Sequence, residues 1–235
     1  FRIHGLCVVI VCAKGMSLTH WLVVLAFLAS TLFTPALPDT LLDGQCALPK
    51  GPNGRPAMWT YFQQGKNKDY YGRKAVDGKR NSFVADYAML VPLWKDSWAR
   101  HGWDPVVLAE PDAMRHPLYG RLRTAVSLFP TWNNKYYEMQ CYLRWLAVAT
   151  AGGGFLVDYD VMNLGFPPPP SISCNLTTYD PHEVSPALLS GGAAAFAAGA
   201  QRMIAYNATA ANGTALEHVS DQWMMQAGVI PSQRM

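Results

Sequence analysis

An α/β domain built on a mainly parallel sheet is the fold class this sequence predicts, and three observations predict it. Short apolar runs of strand character alternate along the chain with longer segments of helical period. One helical segment, 134–150, ends at three consecutive glycines, Gly152, Gly153 and Gly154. An apolar run, Phe155-Leu156-Val157, begins at once after them and closes on two aspartates, Asp158 and Asp160. The bulk composition agrees. The chain has 235 residues, half of them apolar, which suits one domain with a sizeable core plus a targeting segment.

Taken in order, residues 1–15 are expected to lie upstream of the true start, because Met16 is the first methionine. Residues 16–38 read as a targeting segment. The apolar run Trp21–Phe33 has the length of a signal-peptide core, and Thr34-Pro35-Ala36 offers small residues for cleavage. Extended to Leu37, the same run makes a short single-pass anchor, and both readings stay open. Residues 39–56, with Gly, Pro and Asp, read as a linker. The domain proper is expected over 57–235.

Pro56–Gln63 predicts a first strand and 64–80 a basic, turn-rich loop. Ser82–His101 has helical spacing with Pro92 inside it, so a kink or a break into two helices is expected. Asp104–Leu108 is a short buried strand. Asn134–Thr150 places Tyr137, Cys141, Tyr142, Trp145, Leu146 and Ala149 at helical spacing. Phe166 and four prolines then stop regular structure. Leu188–Gly192 predicts a strand and turn leading into an Ala-rich helix. The end at Met235, a few residues past Pro231, leaves room for a further C-terminal part of the domain.

The two aspartates carry the chemistry. Asp-x-Asp alone is weak, because a chain of this length holds about one by chance. Its position after a buried strand is what matters. Ionised carboxylates are costly in a core unless paired or metal-bound. At a strand end they instead face the crevice where α/β sheets bind ligands. In extended backbone, Asp158 and Asp160 project to the same face and can converge on one cation, with Tyr159 packing the other way; a solvated turn after the strand is the other reading. Carboxylate oxygens favour Mg²⁺ or Mn²⁺. Such an ion can bridge a diphosphate and offset its charge as it leaves.

The stretch YYEMQCYLRWLAVATAGGGFLVDYDVMNLG resembles the DXD-containing sugar-binding region of glycosyltransferases related to yeast initiation mannosyltransferase. More distantly it is similar to the glucosylating bacterial toxins. Arg144-Trp145, Gly152–Gly154, Phe155 and Asp158-Tyr159-Asp160 fall in the family's order. The upstream text LWKDSWARHGWDPVVLAEPDAMRHP resembles its helix, Gly-Trp, strand unit, so that the resemblance spans roughly residues 57–165. It implies a GT-A, Rossmann-like nucleotide-diphospho-sugar transferase, mostly retaining and metal-dependent. It implies that Asp160 ligates Mn²⁺ or Mg²⁺, that Asp158 contacts ribose or donor sugar, and that Arg144 reaches the donor sugar or phosphate, with a structural ion pair as the other reading for an arginine on so apolar a helix. Trp59 and Tyr61 fall where the family places nucleotide-base contacts, with a core or cleft-wall role as the other reading. The implied donor is a UDP- or GDP-sugar, and the implied acceptor a glycan, lipid or protein. Where the family often has an aspartate three residues before its arginine, this chain has Cys141. A thiol is a poor acceptor for sugar hydroxyls. The departure motivates an alternative, a catalytically inactive relative that binds nucleotide sugar or glycan.

Asp221, in VSDQWMM, reads as a helix N-cap or as a late donor or acceptor contact. His101, His116, His182 and His218 show no ligand spacing. A net charge of +3 without a long basic run does not point to nucleic acid. The sequons at Asn175, Asn207 and Asn212 agree with a lumenal domain of the Golgi or ER, membrane-attached if the N-terminal segment is kept. Among Cys46, Cys141 and Cys174 one disulfide fits that compartment, and the spacing does not choose the pair.

Overall fold

The computed structural model describes residues 9–11, 44–63, 87–180, 184–206 and 216–235. The apolar run Trp21–Phe33, the basic loop 64–80 and the sequons at Asn207 and Asn212 lie outside the described residues. No helix among the described residues is long and apolar enough to cross a membrane.

The first half of the chain forms β1 (Val9–Val11), β2 (Gln45–Cys46), β3 (Ala57–Tyr61), α1 (Tyr87–Ala99), β4 (Asp104–Leu108), α2 (Glu110–Met114), α3 (Tyr119–Ser127) and α4 (Lys135–Thr150). The second half forms β5 (Gly153–Val157), β6 (Val161–Asn163), β7 (Ile172–Ser173), β8 (Thr177–Thr178), β9 (Leu188–Gly192), α5 (Ala193–Ala205), α6 (Asp221–Gln226) and β10 (Gln233–Arg234). The predicted strands and helices are therefore present. The described part of 82–101 is one helix, α1, with Pro92 on an exposed side.

The main sheet has six strands in the order β10-β8-β9-β5-β3-β4. β3 runs parallel to β4 and to β5, whereas β9 is antiparallel to both β5 and β8. The expected mainly parallel sheet is thus a mixed α/β sheet with one reversed strand. Two-stranded pairs, β1 with β6 and β2 with β7, lie beside it.

Each central strand buries both faces, which is why its sequence reads as continuous apolar text. Ala57, Trp59 and Tyr61 of β3, with Leu156 of β5 and Leu189 of β9, pack on one side against α4 and α5. Met58, Phe155, Val157 and Leu188 pack on the other, against Trp94 and Trp98 of α1 and against Trp103. Trp98 Nε1 donates to the Val161 carbonyl at 3.1 Å and Trp103 Nε1 to that of Phe166 at 2.7 Å. These indoles pin the chain that leaves β5.

Residues 44–56, expected as a linker, carry β2, a bridge between Lys50 and Pro56, and one half of a disulfide. That bond joins Cys46 to Cys174, 128 residues apart, and leaves Cys141 as the free thiol among the described residues. Closing a loop of that length removes unfolded-state entropy worth about 5 kcal/mol in the chain-entropy picture.

Candidate functional site

β3 and β5 are neighbours, but the chain leaves them in opposite directions. β3 leads through α1 to β4 on one side, and β5 leads onward to β9 on the other. A crevice forms at such a switch point, beyond the C-terminal ends of the strands. Met58 is level with Phe155 and Trp59 with Leu156, so the same register carried forward sets Tyr61 level with Asp158. Phe62 and Tyr159 meet across the gap, edge to face, with centroids 5.4 Å apart.

Gly153 makes this strand start feasible. Its φ is +83°, and a Cβ there would fall 2.5 Å from the Ala193 nitrogen and 2.6 Å from the Gly191 oxygen. Only glycine tolerates both conditions. Trp59 is buried with its Nε1 donating to the Gly153 carbonyl at 2.6 Å. Tyr61 is buried as well, and its hydroxyl donates to Gln140 Oε1 at 2.6 Å. In this structure the two residues expected at the base contact lie in the core on the side of the sheet that packs against α4.

α4 begins with Asn134 as N-cap, its side chain accepting from the Tyr136 and Tyr137 nitrogens. Ten of the helix's residues are buried, Arg144 among them. A guanidinium at that depth needs partners. Its Nη2 and Nε donate to Asp221 Oδ2 at 2.6 and 3.1 Å, and its Nη1 to Asp158 Oδ1 at 2.7 Å. Trp145 Nε1 adds a third donor to Asp221 Oδ2 at 3.0 Å. The Gln222 nitrogen meets Asp221 Oδ1 at 2.9 Å. Burial alone would lower the guanidinium's pKa, but Asp221 and then Asp158 outweigh it and hold it well above its ordinary value. Arg144 is a permanent cation here.

Arg144 therefore joins two carboxylates of different standing. Asp221 has 4% side-chain exposure and Asp158 has 38%. The inner acid anchors the arginine, and the outer one reaches solvent at the C-terminal end of β5. Asp221 is not the N-cap of α6. Ser220 is, accepting from the Trp223 nitrogen, and Asp221 turns inward one residue later. Its partnership with Arg144 crosses 77 residues and has no local signal.

Asp158 and Asp160 do not share a face by strand alternation. β5 stops at Val157, and the Val161 nitrogen bonds back to the Asp158 carbonyl at 3.0 Å, which makes 158–161 a turn. The turn has its own reason: β6 must start at Val161, where Trp98 holds the carbonyl. Both carboxylates remain part-exposed at the C-terminal end of β5. No group of three or more His, Cys, Asp or Glu side chains among the described residues is placed to hold an ion. Two carboxylates still fit Mg²⁺ or Mn²⁺ where phosphate oxygens and water complete the shell.

Cys141, one turn before Arg144, is part-buried, and desolvation pushes its thiol well up from the ordinary range, against the pull of Arg144. Sequence reasoning missed Trp145 Nε1 as a supporting donor, although its place beside Arg144 on an apolar helix was visible.

No curated protein and no solved structure matches the chain. A family model described as a domain of unknown function, DUF8765, matches residues 38–180, which takes in β2 through β8 and the residues Arg144, Asp158 and Asp160. With well over half of its length matched, this chain belongs to the DUF8765 family.

Proposed function

We propose that the protein is a metal-dependent glycosyltransferase of GT-A type that moves a sugar from a nucleotide-diphospho-sugar to a glycan, lipid or protein acceptor. The observation that carries this reading is the Arg144–Asp158–Asp221 cluster at the C-terminal end of β5, next to Asp160. A sugar diphosphate brings negative charge that grows as the bond to the sugar breaks. Arg144 is buried and its charge is balanced by Asp221 and Asp158, so its part is to fix Asp158 in place without having to reorganise. Asp160, with Asp158 beside it, would hold Mn²⁺ or Mg²⁺, which supplies Lewis-acid neutralisation of the leaving diphosphate. Asp158, held by Arg144 Nη1, is oriented to accept hydroxyls of ribose or sugar. The Cys46–Cys174 disulfide and the exposed Asn175 sequon support a lumenal site in the secretory pathway, Golgi or ER.

Cys141 favours a second reading, a relative that binds nucleotide sugar without turning it over. A part-buried thiol stands where the resemblance expects a carboxylate, so one sugar-binding acceptor is missing.

The test is hydrolysis and transfer from a panel of UDP- and GDP-sugars with Mn²⁺, comparing wild type with Asp160→Asn. The variant should stay folded and lose at least about a hundredfold in rate, roughly 2.7 kcal/mol of transition-state stabilisation. Asp96, with 70% side-chain exposure and far from the cluster in sequence, is the control acid and should tolerate Asn. Near-native turnover in Asp160→Asn would end the transferase reading. Wild-type binding of a nucleotide sugar with no turnover would select the second one.

A further inference from the structure

Asn175 opens the text Asn-Leu-Thr and lies in the turn between β7 and β8. Asparagine in a turn commonly has a local reason, either a left-handed backbone or a side chain bonded to the chain nearby. Neither holds here. Asn175 is not among the residues with positive φ. Its side chain makes no hydrogen bond among the described residues. Only its backbone is engaged, the nitrogen donating to Ser173 Oγ at 3.1 Å and the carbonyl accepting from Thr177 Oγ1 at 3.4 Å. Asn175 is exposed, whereas Leu176 and Thr177 are buried. The fold holds out an amide that it does not use.

The backbone that presents this amide is tied down on both sides. Cys174, just before it, is bonded to Cys46. The Cys174 nitrogen donates to the Gly44 carbonyl at 2.8 Å, and its carbonyl accepts from the Gly192 nitrogen at 3.0 Å. The Leu176 carbonyl, just after, accepts from the Gln233 nitrogen at 2.8 Å. The segment also lies directly on the end of β9. A Cβ at Gly192 would fall 3.1 Å from Cys46 Sγ and 3.3 Å from the Cys174 oxygen, and one at Gly191 would fall 3.3 Å from Leu176 Cα. The place of Asn175 in the sheet follows from the register. Thr177 is level with Ser190 of β9, which is level with Phe155 of β5. Two residues earlier, Asn175 stands at the Gly153 end of β5, and Asp158 follows the other end. A bulky group on Asn175 leaves the end with Asp158 and Asp160 open.

We propose that Asn175 is an N-glycosylation site, and that its glycan is attached before β8 takes its place in the sheet. Asn-x-Thr is the acceptor pattern of that reaction, with any residue but proline in the middle. Asn175 Nδ2 forms a bond to the anomeric carbon of a lipid-diphosphate-linked oligosaccharide. The lipid diphosphate leaves with the bonding electrons, and the amide gives up one proton. An enzyme that selects this pattern reads the asparagine and the hydroxyl two residues on together. In the folded chain Thr177 lies in β8 between β9 and β10 at 4% exposure, with its hydroxyl turned to the Asn175 carbonyl. The hydroxyl is therefore readable only while this part of the chain is unfolded. Afterwards the exposed asparagine carries the glycan into solvent, as a bulky surface modification requires. The Cys46–Cys174 bond beside it forms in the same oxidising compartment. The inference rests on the lumenal location in the proposed function and not on the chemistry given there to Asp158 and Asp160.

The experiment expresses the full chain in insect cells behind a cleavable secretion signal, so that entry into the lumen does not depend on residues 16–38. Asn207→Gln and Asn212→Gln leave Asn175 as the single sequon. The product should run as a larger species that an N-glycosidase reduces in size, leaving aspartate in place of Asn175 in the peptide that contains it. Asn175→Gln should lose the larger species. Thr177→Val keeps the buried shape, deletes the hydroxyl, and should lose it as well. The order of events is read on purified, unmodified chain offered to an oligosaccharide-transferring membrane fraction with its lipid-linked donor. The reduced, alkylated and unfolded chain should accept the glycan, and the folded chain should not. The proposal is overturned if the single-sequon chain stays unmodified, if the larger species survives Asn175→Gln or Thr177→Val, if neither purified form accepts the glycan, or if the folded form accepts it as readily as the unfolded one. Sugar-nucleotide turnover measured on unmodified protein decides the transferase reading separately from any of these outcomes.

Discussion

Asp221 and Glu138 are both acids with less than a twentieth of their surface exposed, 3% and 4%, and both feel the charge of Arg144. Their surroundings are otherwise opposite. Asp221 takes two bonds from Arg144, one from Trp145 and one from the Gln222 nitrogen. Glu138 takes one from Asn133 and leaves an oxygen orphaned among the described residues. Burial sets the cost of a charge, and the donors that surround it decide whether the cost is met. One acid therefore holds an arginine in place, and the other keeps a buried oxygen unmet.

The largest expected effect breaks the satisfied side. Asp221→Ala leaves Arg144 buried with only its exposed partner, and should cost about 3–5 kcal/mol of unfolding free energy. Urea denaturation reads this directly, and an unshifted midpoint would mean the cluster is not what holds α6 to α4. Next comes pH, which tests the unsatisfied side. Glu138 binds its proton more tightly folded, with a pKa near 7, than unfolded, near 4.5. Its contribution is complete below pH 4.5 and is lost as pH rises through 7. The loss is on the order of 3 kcal/mol at about 1.4 kcal/mol per unit. Glu138→Gln removes the titrating group, so the difference between wild-type and variant stability should change across that window and be flat above it. A constant difference from pH 4 to 8 would sink the assignment.

The smallest effect on stability sharpens the comparison within one arginine. Asp158 shares Arg144 with Asp221 but keeps 38% side-chain exposure, where solvent screens the pair. Asp158→Asn should move stability by about 0–1 kcal/mol. Under the transferase reading it should nonetheless weaken donor binding and turnover. Thermal melts beside nucleotide-sugar titrations separate the two outcomes, and a large loss of stability would make Asp158 a structural residue.

Local elements were legible because their signals are local. α4 carries a 3.6-residue apolar period, Asn134 at its start and glycines at its end. β5 is three bulky apolar residues after Gly153 and Gly154. The direction of β9 was not legible, since Leu188–Gly192 reads the same whether it pairs parallel or antiparallel. The turn at 158–161 was one of two readings the sequence left open, because two aspartates flanking a tyrosine suit extended backbone and a turn equally well. What ends the strand is a distant contact, Trp98 on the Val161 carbonyl.

From the sequence alone come the α/β class, the boundaries of the long helix and central strand, and the place of Arg144, Asp158 and Asp160 within one short stretch. Periodicity, capping and glycine chemistry act over a few residues, so they survive reading the chain as text. Only the tertiary structure decided that Cys46 pairs with Cys174, that Asp221 anchors Arg144 from 77 residues away, and that Glu138 faces a cleft with one oxygen unmet. Those facts depend on which surfaces meet when helices pack on the sheet. A charge's partner is set by that packing, because a low-dielectric interior makes a few ångströms the difference between a satisfied ion and a costly one.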